Sequence, residues 1–309
     1  MASRRDSSIL RVLAIAGAVA LSLAACGGGG EDGGAGDSTT PPTNQGTLSG
    51  TAIKGPVSAA TVTAYAIANG VVGAPIASAT TDAQGAFAMS MGNYSGPVML
   101  RSTGGAFTDE ARGTMMAMAA GDAMTAVLPG VPSGSTIGGI RITPLTSMAH
   151  SMAEQMSGGL VEANIAAANA AVSSYFMVGD VLRTMPMNPL VAGSATGATP
   201  AMMNYGMTLA AMSQYAMTLG MPASSTMVAR MASDSSDGVM NGMTGTRRIE
   251  LTGGGMMGGA RMMDSTAGTS GLAAAMAEFM ASGMNRSGVT ATHMAALMQQ
   301  LGSSSGELR

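Results

Sequence analysis

The chain has 309 residues and a formal net charge of −3, with 10% charged residues, 3% aromatic residues and no tryptophan. Two histidines and one cysteine exclude a disulfide scaffold and a four-cysteine zinc site, and the acidic balance with few aromatics excludes a nucleic-acid-binding face. Hydrophobic residues at 46% and a mean hydropathy of +0.29 argue for a packed core rather than a disordered chain, and methionine, with 33 copies, stands where leucine ordinarily leads.

Residues 1–25 have the three parts of an export signal: Arg4, Arg5 and Arg11, then an apolar run over 12–25, then small residues before Cys26. The run is shorter than the roughly 18 to 20 apolar residues a spanning helix needs. Leu23-Ala24-Ala25-Cys26 followed by Gly27 resembles the lipobox of bacterial lipoproteins. The resemblance implies that Cys26 is lipidated and becomes the first residue after cleavage. The protein would then be held on a membrane by several acyl chains, a firmer anchor than one. Gly27, in place of an aspartate, implies an outer-membrane destination, facing either the periplasm or the cell surface. Loss of 1–25 takes three arginines and one aspartate with it and leaves a net charge of −5.

Residues 26–46 carry glycine, serine, threonine and proline and no apolar side chain larger than alanine after Cys26, so they read as a solvated tether spanning roughly 25 Å. Over 47–142 the period changes to two. Ala60-Thr61-Val62-Thr63-Ala64-Tyr65, Ala86-Phe87-Ala88-Met89 and Val98-Met99-Leu100-Arg101-Ser102 alternate as strands do. Lys54-Gly55-Pro56, Asn69-Gly70, Asp82-Ala83-Gln84-Gly85 and Gly104-Gly105 supply the reversals. About seven short strands predict an all-β sandwich.

Two stretches, Lys54-Gly55-Pro56-Val57-Ser58-Ala59-Ala60-Thr61-Val62-Thr63-Ala64-Tyr65 and Ala79-Thr80-Thr81-Asp82-Ala83-Gln84-Gly85-Ala86-Phe87, resemble carboxypeptidase-regulatory-like domains. The resemblance spans about 47–110. It implies a prealbumin-like or immunoglobulin-like sandwich that serves as a spacer or binding module, with no catalytic residues to carry over.

From Thr143-Pro144 the pattern is helical, with threonine as N-cap and proline at the first helical position. Helices are expected over 144–156, 161–177, 200–220, 225–232, 271–282 and 290–301. The 161–177 helix carries Val161, Ile165, Ala168, Val172 and Phe176 on one stripe, and the 200–220 helix carries Met202, Tyr205, Leu209, Met212, Ala216 and Leu219. The fold expected is α+β in two domains, an all-β sandwich over 47–142 and an all-α, methionine-rich domain over 143–309. The helical half resembles the C-terminal region of uncharacterised envelope lipoproteins, which assigns no activity.

Few residues carry chemistry. Methionine thioethers are soft ligands for Cu(I) and absorb oxidant. Met148, Met152 and Met156 form one helical stripe, and Met256, Met257, Met262 and Met263 crowd a glycine-rich stretch. Methionine at helical spacing is more often flexible core filler, which is the reading preferred here. His150 and Glu154 stand at i, i+4 with no third ligand, and His293 has no acidic neighbour within a turn. The oxygen-rich stretch 234–242 fails the EF-hand template, because Thr244 stands where the bidentate glutamate belongs. No Gly-x-Ser-x-Gly elbow is present, and the sole lysine, Lys54, is not in a phosphate loop.

The sequence therefore leads to a lipid-anchored envelope protein with a structural or binding role toward an envelope protein or a glycan. No catalytic residue, metal site, cofactor or nucleic-acid partner is expected. The discriminating feature would be an exposed apolar or acidic patch on the sandwich loops or the helical surface. The alternative is methionine-based Cu(I) or oxidant buffering, which requires Met256, Met257, Met262 and Met263 to lie exposed and together.

Overall fold

Turn chemistry sets the strand register of the first half. Asn69 and Gly70 both take positive φ, 52° and 76°, the conformation a two-residue hairpin needs. They join β2 (Thr61–Ala68) to β3 (Val71–Thr80), after β1 (Gly46–Ala52) has opened the unit. A Cβ on Gly70 would also fall 2.0 Å from the Gly158 carbonyl oxygen, so packing forbids a side chain there as firmly as the turn does. At the next reversal the Asp82 carboxylate accepts the backbone N–H groups of Gln84 and Ala86 at 2.9 and 2.8 Å. That closes the turn into β4 (Ala86–Gly92) and places Phe87 in the core.

The remaining strands are β5 (Gly96–Thr103), β6 (Ala106–Thr108), β7 (Met115–Ala117), β8 (Ala123–Val131) and β9 (Thr136–Ile142), nine in all where seven were expected. They form a four-stranded sheet in the order β3-β2-β5-β8, a three-stranded sheet in the order β4-β1-β9, and a hairpin of β6 and β7. β1 runs antiparallel to β4 and parallel to β9. Leu48, Phe87 and Met89 of the smaller sheet and Val62, Ala64, Val98, Leu100 and Ala126 of the larger enter one apolar cluster.

The computed structural model describes residues 45–252, 261–263 and 267–308, all within one unit, Pro42–Arg309. Helix α1 (Pro144–Gln155) starts as the Thr143-Pro144 pair predicts: Thr143 Oγ1 accepts the Thr146 N–H at 3.2 Å, and Thr146 Oγ1 accepts the Thr143 N–H at 2.8 Å. It is followed by α2 (Glu162–Tyr175), α3 (Pro200–Thr218) and α4 (Ser225–Asp234). Then come four short strands, β10 (Met243–Thr244), β11 (Arg247–Arg248), β12 (Glu250–Thr252) and β13 (Arg261–Met262), and finally α5 (Ala267–Ala281) and α6 (Ala291–Ser303). The second half is thus not all-α. Two small antiparallel pairs, β10–β11 and β12–β13, interrupt it, the first turning at Gly245 with φ 58°.

Helix α3 is the axis of this half. Its expected stripe buries from Tyr205 to Ala216, with Met202 and Leu219 half-buried at its ends, but so do the residues between, from Met203 to Ala216, and a helix buried on every side is a central one. Gly206 makes that position reachable: a Cβ there would lie 1.9 Å from the Met187 carbonyl oxygen, so backbone meets backbone at this point. Leu145, Met148, Tyr205 and Phe279 belong to the same cluster as Leu48 and Phe87. The change from strands to helices at residue 143 therefore divides the secondary structure but not the core. Among the described residues, no helix is long and apolar enough to cross a membrane.

Candidate functional site

The turn after β1 places Gly55 and Pro56 at the surface and Lys54 inside. On either side of Gly55-Pro56 lies a cavity of about 280 Å³, and the two share Gly55, Pro56 and Asn188 as lining. The first is apolar, walled by Ile53, Met185, Pro186, Met187, Pro189 and Leu209, with Gln84 at one edge. The second is more polar, with Ser58, Thr108, Glu110 and Leu190, and Met115 closing it. Met115 is 66% exposed, Met185 41% and Val191, beside Leu190, 52%. An apolar strip with one carboxylate therefore lies on the loops between the sheets and the 185–190 segment, and the two cavities together have the volume ordinary for a small-ligand or peptide-side-chain site.

Glu110 is held from behind. Lys54 has no exposed side-chain area, and its Nζ lies 3.1 Å from Glu110 Oε2 and 5.4 Å from the centre of the Phe107 ring. Ser213 of α3 donates to the same Oε2 at 2.5 Å and also contacts Lys54 Nζ. One residue earlier, Asp109 is fully buried; it accepts a hydrogen bond from Ser224 and lies 3.6 Å from Arg112. Arg112 reaches on to the Met221 carbonyl at 3.1 Å. Asp122, ahead of β8, accepts Ser225 and Thr226 at 2.6 and 3.0 Å. Carboxylates from the strand segments thus take hydroxyls from α3, α4 and the residue before it, and this polar seam fixes the groove's floor. In the Lys54–Ser213 pair the amine is ion-paired and the hydroxyl proton goes to Glu110. No lone pair is left on the lysine to activate the serine, as a serine–lysine nucleophile requires.

The residues singled out from sequence go elsewhere. His150 Nδ1 lies 3.0 Å from Thr125 Oγ1, and its Nε2 is buried without a hydrogen-bond partner. Burial holds its imidazole below the ordinary range, with the Glu154 charge opposing the shift. His293 closes the start of α6, its Nδ1 accepting the Thr290 N–H at 3.0 Å, and it lines a cavity of about 700 Å³ with Asn204, Thr199 and Met177. Neither the His150–Glu154 pair nor His293 joins a cluster of three or more His, Cys, Asp or Glu among the described residues.

In the 234–242 stretch the carboxylates point at backbone N–H groups rather than at a shared centre: Asp234 accepts Gly242, and Asp237 accepts Val239 and Gly245. Met148 is buried, and Met152 and Met156 pack half-buried against the core. Of the four crowded methionines, Met263 is fully buried while Met262 is 36% exposed, so the expectation that all four lie exposed fails at Met263. Met256 and Met257 lie outside the described residues, as do Cys26 and residues 1–44.

What the sequence did not offer is Lys54 with Glu110 and Ser213. Each is a single polar residue in an unremarkable local context, joined only by the fold. The groove has the same origin, since it gathers residues from β1, two turns, the 185–190 segment and α3.

No family model matches the chain, and no curated protein matches it. Among solved structures, a 9R-lipoxygenase from Cyanothece PCC8801 aligns at a TM-score of 0.20 and 12% identity. The alignment covers 34% of this chain and 17% of that one, a likeness too slight to carry an argument.

Proposed function

We propose that this chain is a lipid-anchored cell-envelope protein, tethered through acyl chains on Cys26 at the outer membrane, whose role is to bind a partner protein or a glycan rather than to catalyse a reaction. In this reading the nine strands are a sandwich of the prealbumin-like, carboxypeptidase-regulatory-like kind, and the helices brace it. The observation that carries the binding role is the exposed apolar strip around Gly55-Pro56, with Met115 and Met185 at its rims and Glu110 at its floor. Exposed apolar surface of this kind marks interaction sites, and methionine's flexible thioether suits a surface that must adapt to its ligand. The non-catalytic reading is supported by the internal commitments of Lys54, Ser213 and His150.

The test has two arms. In a Gram-negative host, labelled palmitate should enter the full chain and be lost in Cys26→Ala together with membrane association. On the anchored protein, Met115→Asp with Met185→Asp should abolish retention on purified envelope polymer or outer-membrane protein fractions while leaving the melting temperature within a few degrees. Retention unchanged in that variant would remove the groove from consideration.

A second reading, oxidant or Cu(I) buffering, is favoured by the exposed thioethers of Met115, Met177, Met185 and Met262. It expects peroxide to convert those four first, without unfolding the chain.

A further inference from the structure

Helix α4 ends by delivering a carboxyl group into a dry place. Asp234 has no exposed area. Its Oδ1 accepts the Gly242 N–H at 2.6 Å, while Oδ2 is buried and has no hydrogen-bond partner. Directly after it the chain loops round through Gly238, at φ 85°, and residues 306–308 close on that loop. Val239 bridges Glu307, the Met240 N–H donates to the Gly306 carbonyl at 2.8 Å, and the Leu308 N–H donates to the Gly238 carbonyl at 2.9 Å. Gly306 is required at this closure, since a Cβ there would lie 2.4 Å from the Met240 oxygen. The closure also orders Ser304, whose Oγ lies 2.6 Å from the Tyr175 hydroxyl.

The charge on this carboxyl decides whether the arrangement is comfortable. The charged group that acts on Asp234 is Asp237 of the loop, which disfavours a negative charge there, while Tyr175 of α2 is held as the neutral phenol, in part by the Asp234 charge. Arg230, one turn earlier on α4, forms no ion pair with it. Burial outweighs the neighbouring backbone N–H groups and pushes the Asp234 carboxyl up to about 7. As a neutral acid it leaves one oxygen unmet at modest cost. As a carboxylate, the same oxygen carries charge with no donor, a state relieved only by admitting water. The loop that supplies the Gly242 donor is itself held closed by residues 306–308.

We propose that Asp234 is a proton-operated latch: its neutral form keeps residues 304–308 closed on the 235–245 loop, and its ionised form releases them. Release widens the polar cavity of about 400 Å³ between α2 and the end of α6, lined by Ser174, Tyr175, Gln300, Ser304, Ser305 and Glu307. Opening of this kind is local, and amide exchange reads it directly.

The experiment is hydrogen exchange on the full chain at pH 5.5, 7 and 8.5, corrected for the intrinsic pH dependence of exchange. Protection of the Met240, Gly242 and Leu308 amides should fall at least tenfold relative to Leu209 of α3 as pH rises through 7. Asp234→Asn, which keeps an uncharged group of the same shape, should remain protected throughout, and Asp237→Asn should still show the transition. Protection that tracks Leu209 at every pH, or a transition that survives in Asp234→Asn, overturns the proposal. Should Asp234→Asn fail to fold, the ¹³C resonance of the wild-type Asp234 carboxyl decides: a midpoint near 7 coincident with loss of protection supports the latch, and a midpoint near 4 overturns it.

Discussion

The protein buries two acids in two different ways. At the seam between strands and helices, Glu110 is met by the ammonium of Lys54 and the hydroxyl of Ser213, so its charge is answered from both partners. After α4, Asp234 has the Gly242 N–H on one oxygen and nothing on the other. A carboxylate that is fully answered behaves as a rivet between the elements that supply its partners. One that is half answered becomes sensitive to a single proton, and the segment packed over it inherits that sensitivity.

The contrast breaks most visibly at the seam. Lys54→Met should cost about 3–5 kcal/mol in urea unfolding, because it strands Glu110 as a buried charge, and adding Glu110→Leu should recover most of the loss. A single variant as stable as the wild type would mean that Glu110 is no more answered than Asp234.

Next in size is the pH profile. The Asp234 acid is raised in the folded chain to about 7 against 3.8 in an unfolded one, so between those values the native state binds the extra proton. Its contribution is greatest below about pH 4 and is lost as pH rises to 7, by roughly 4 kcal/mol. His150 works in the opposite sense, since burial lowers its imidazole and acid must charge it. In thermal melts Asp234→Asn should remove the loss on the rise to pH 7 and leave only the decline on acidification below the ordinary histidine range.

A smaller effect sharpens the seam. Gly206→Ala should cost about 1–3 kcal/mol by forcing α3 from the Met187 carbonyl, and with α3 moves Ser213, so the Lys54→Met penalty should shrink in that background. The smallest concerns the latch. Gly302 in α6 has open space at its Cβ position, and Gly302→Ala should stabilise by about 0.5–1 kcal/mol without moving the midpoint of the pH transition.

Where local chemistry decides structure, the sequence was legible. Thr143-Pro144 announced α1, Asn69-Gly70 announced the β2–β3 hairpin, and Asp82 to Gly85 announced the turn that sends Phe87 inward. Where distant residues decide, it was not. A lysine beside Gly-Pro reads as an exposed turn residue, and its partners stand 56 and 159 positions away. Asn204, Thr208, Ser213 and Gln214 are polar side chains of α3, yet all four are buried under neighbours that sequence does not place. The strands of two and three residues between α4 and α5 are shorter than any period can register. The groove was foreseen only as a kind of surface, because its lining comes from five separate stretches, 51–58, 83–84, 108–115, 185–190 and 206–209.

The burial of Lys54 has one more consequence. Because the chain has no other lysine, the folded protein presents no side-chain amine to its surroundings. Acylating reagents, aldehydes and enzymes that modify lysine ε-amines find no target on a side chain until the seam opens. The appearance of a labelled Lys54 is then a direct counter of molecules whose strands and helices have come apart.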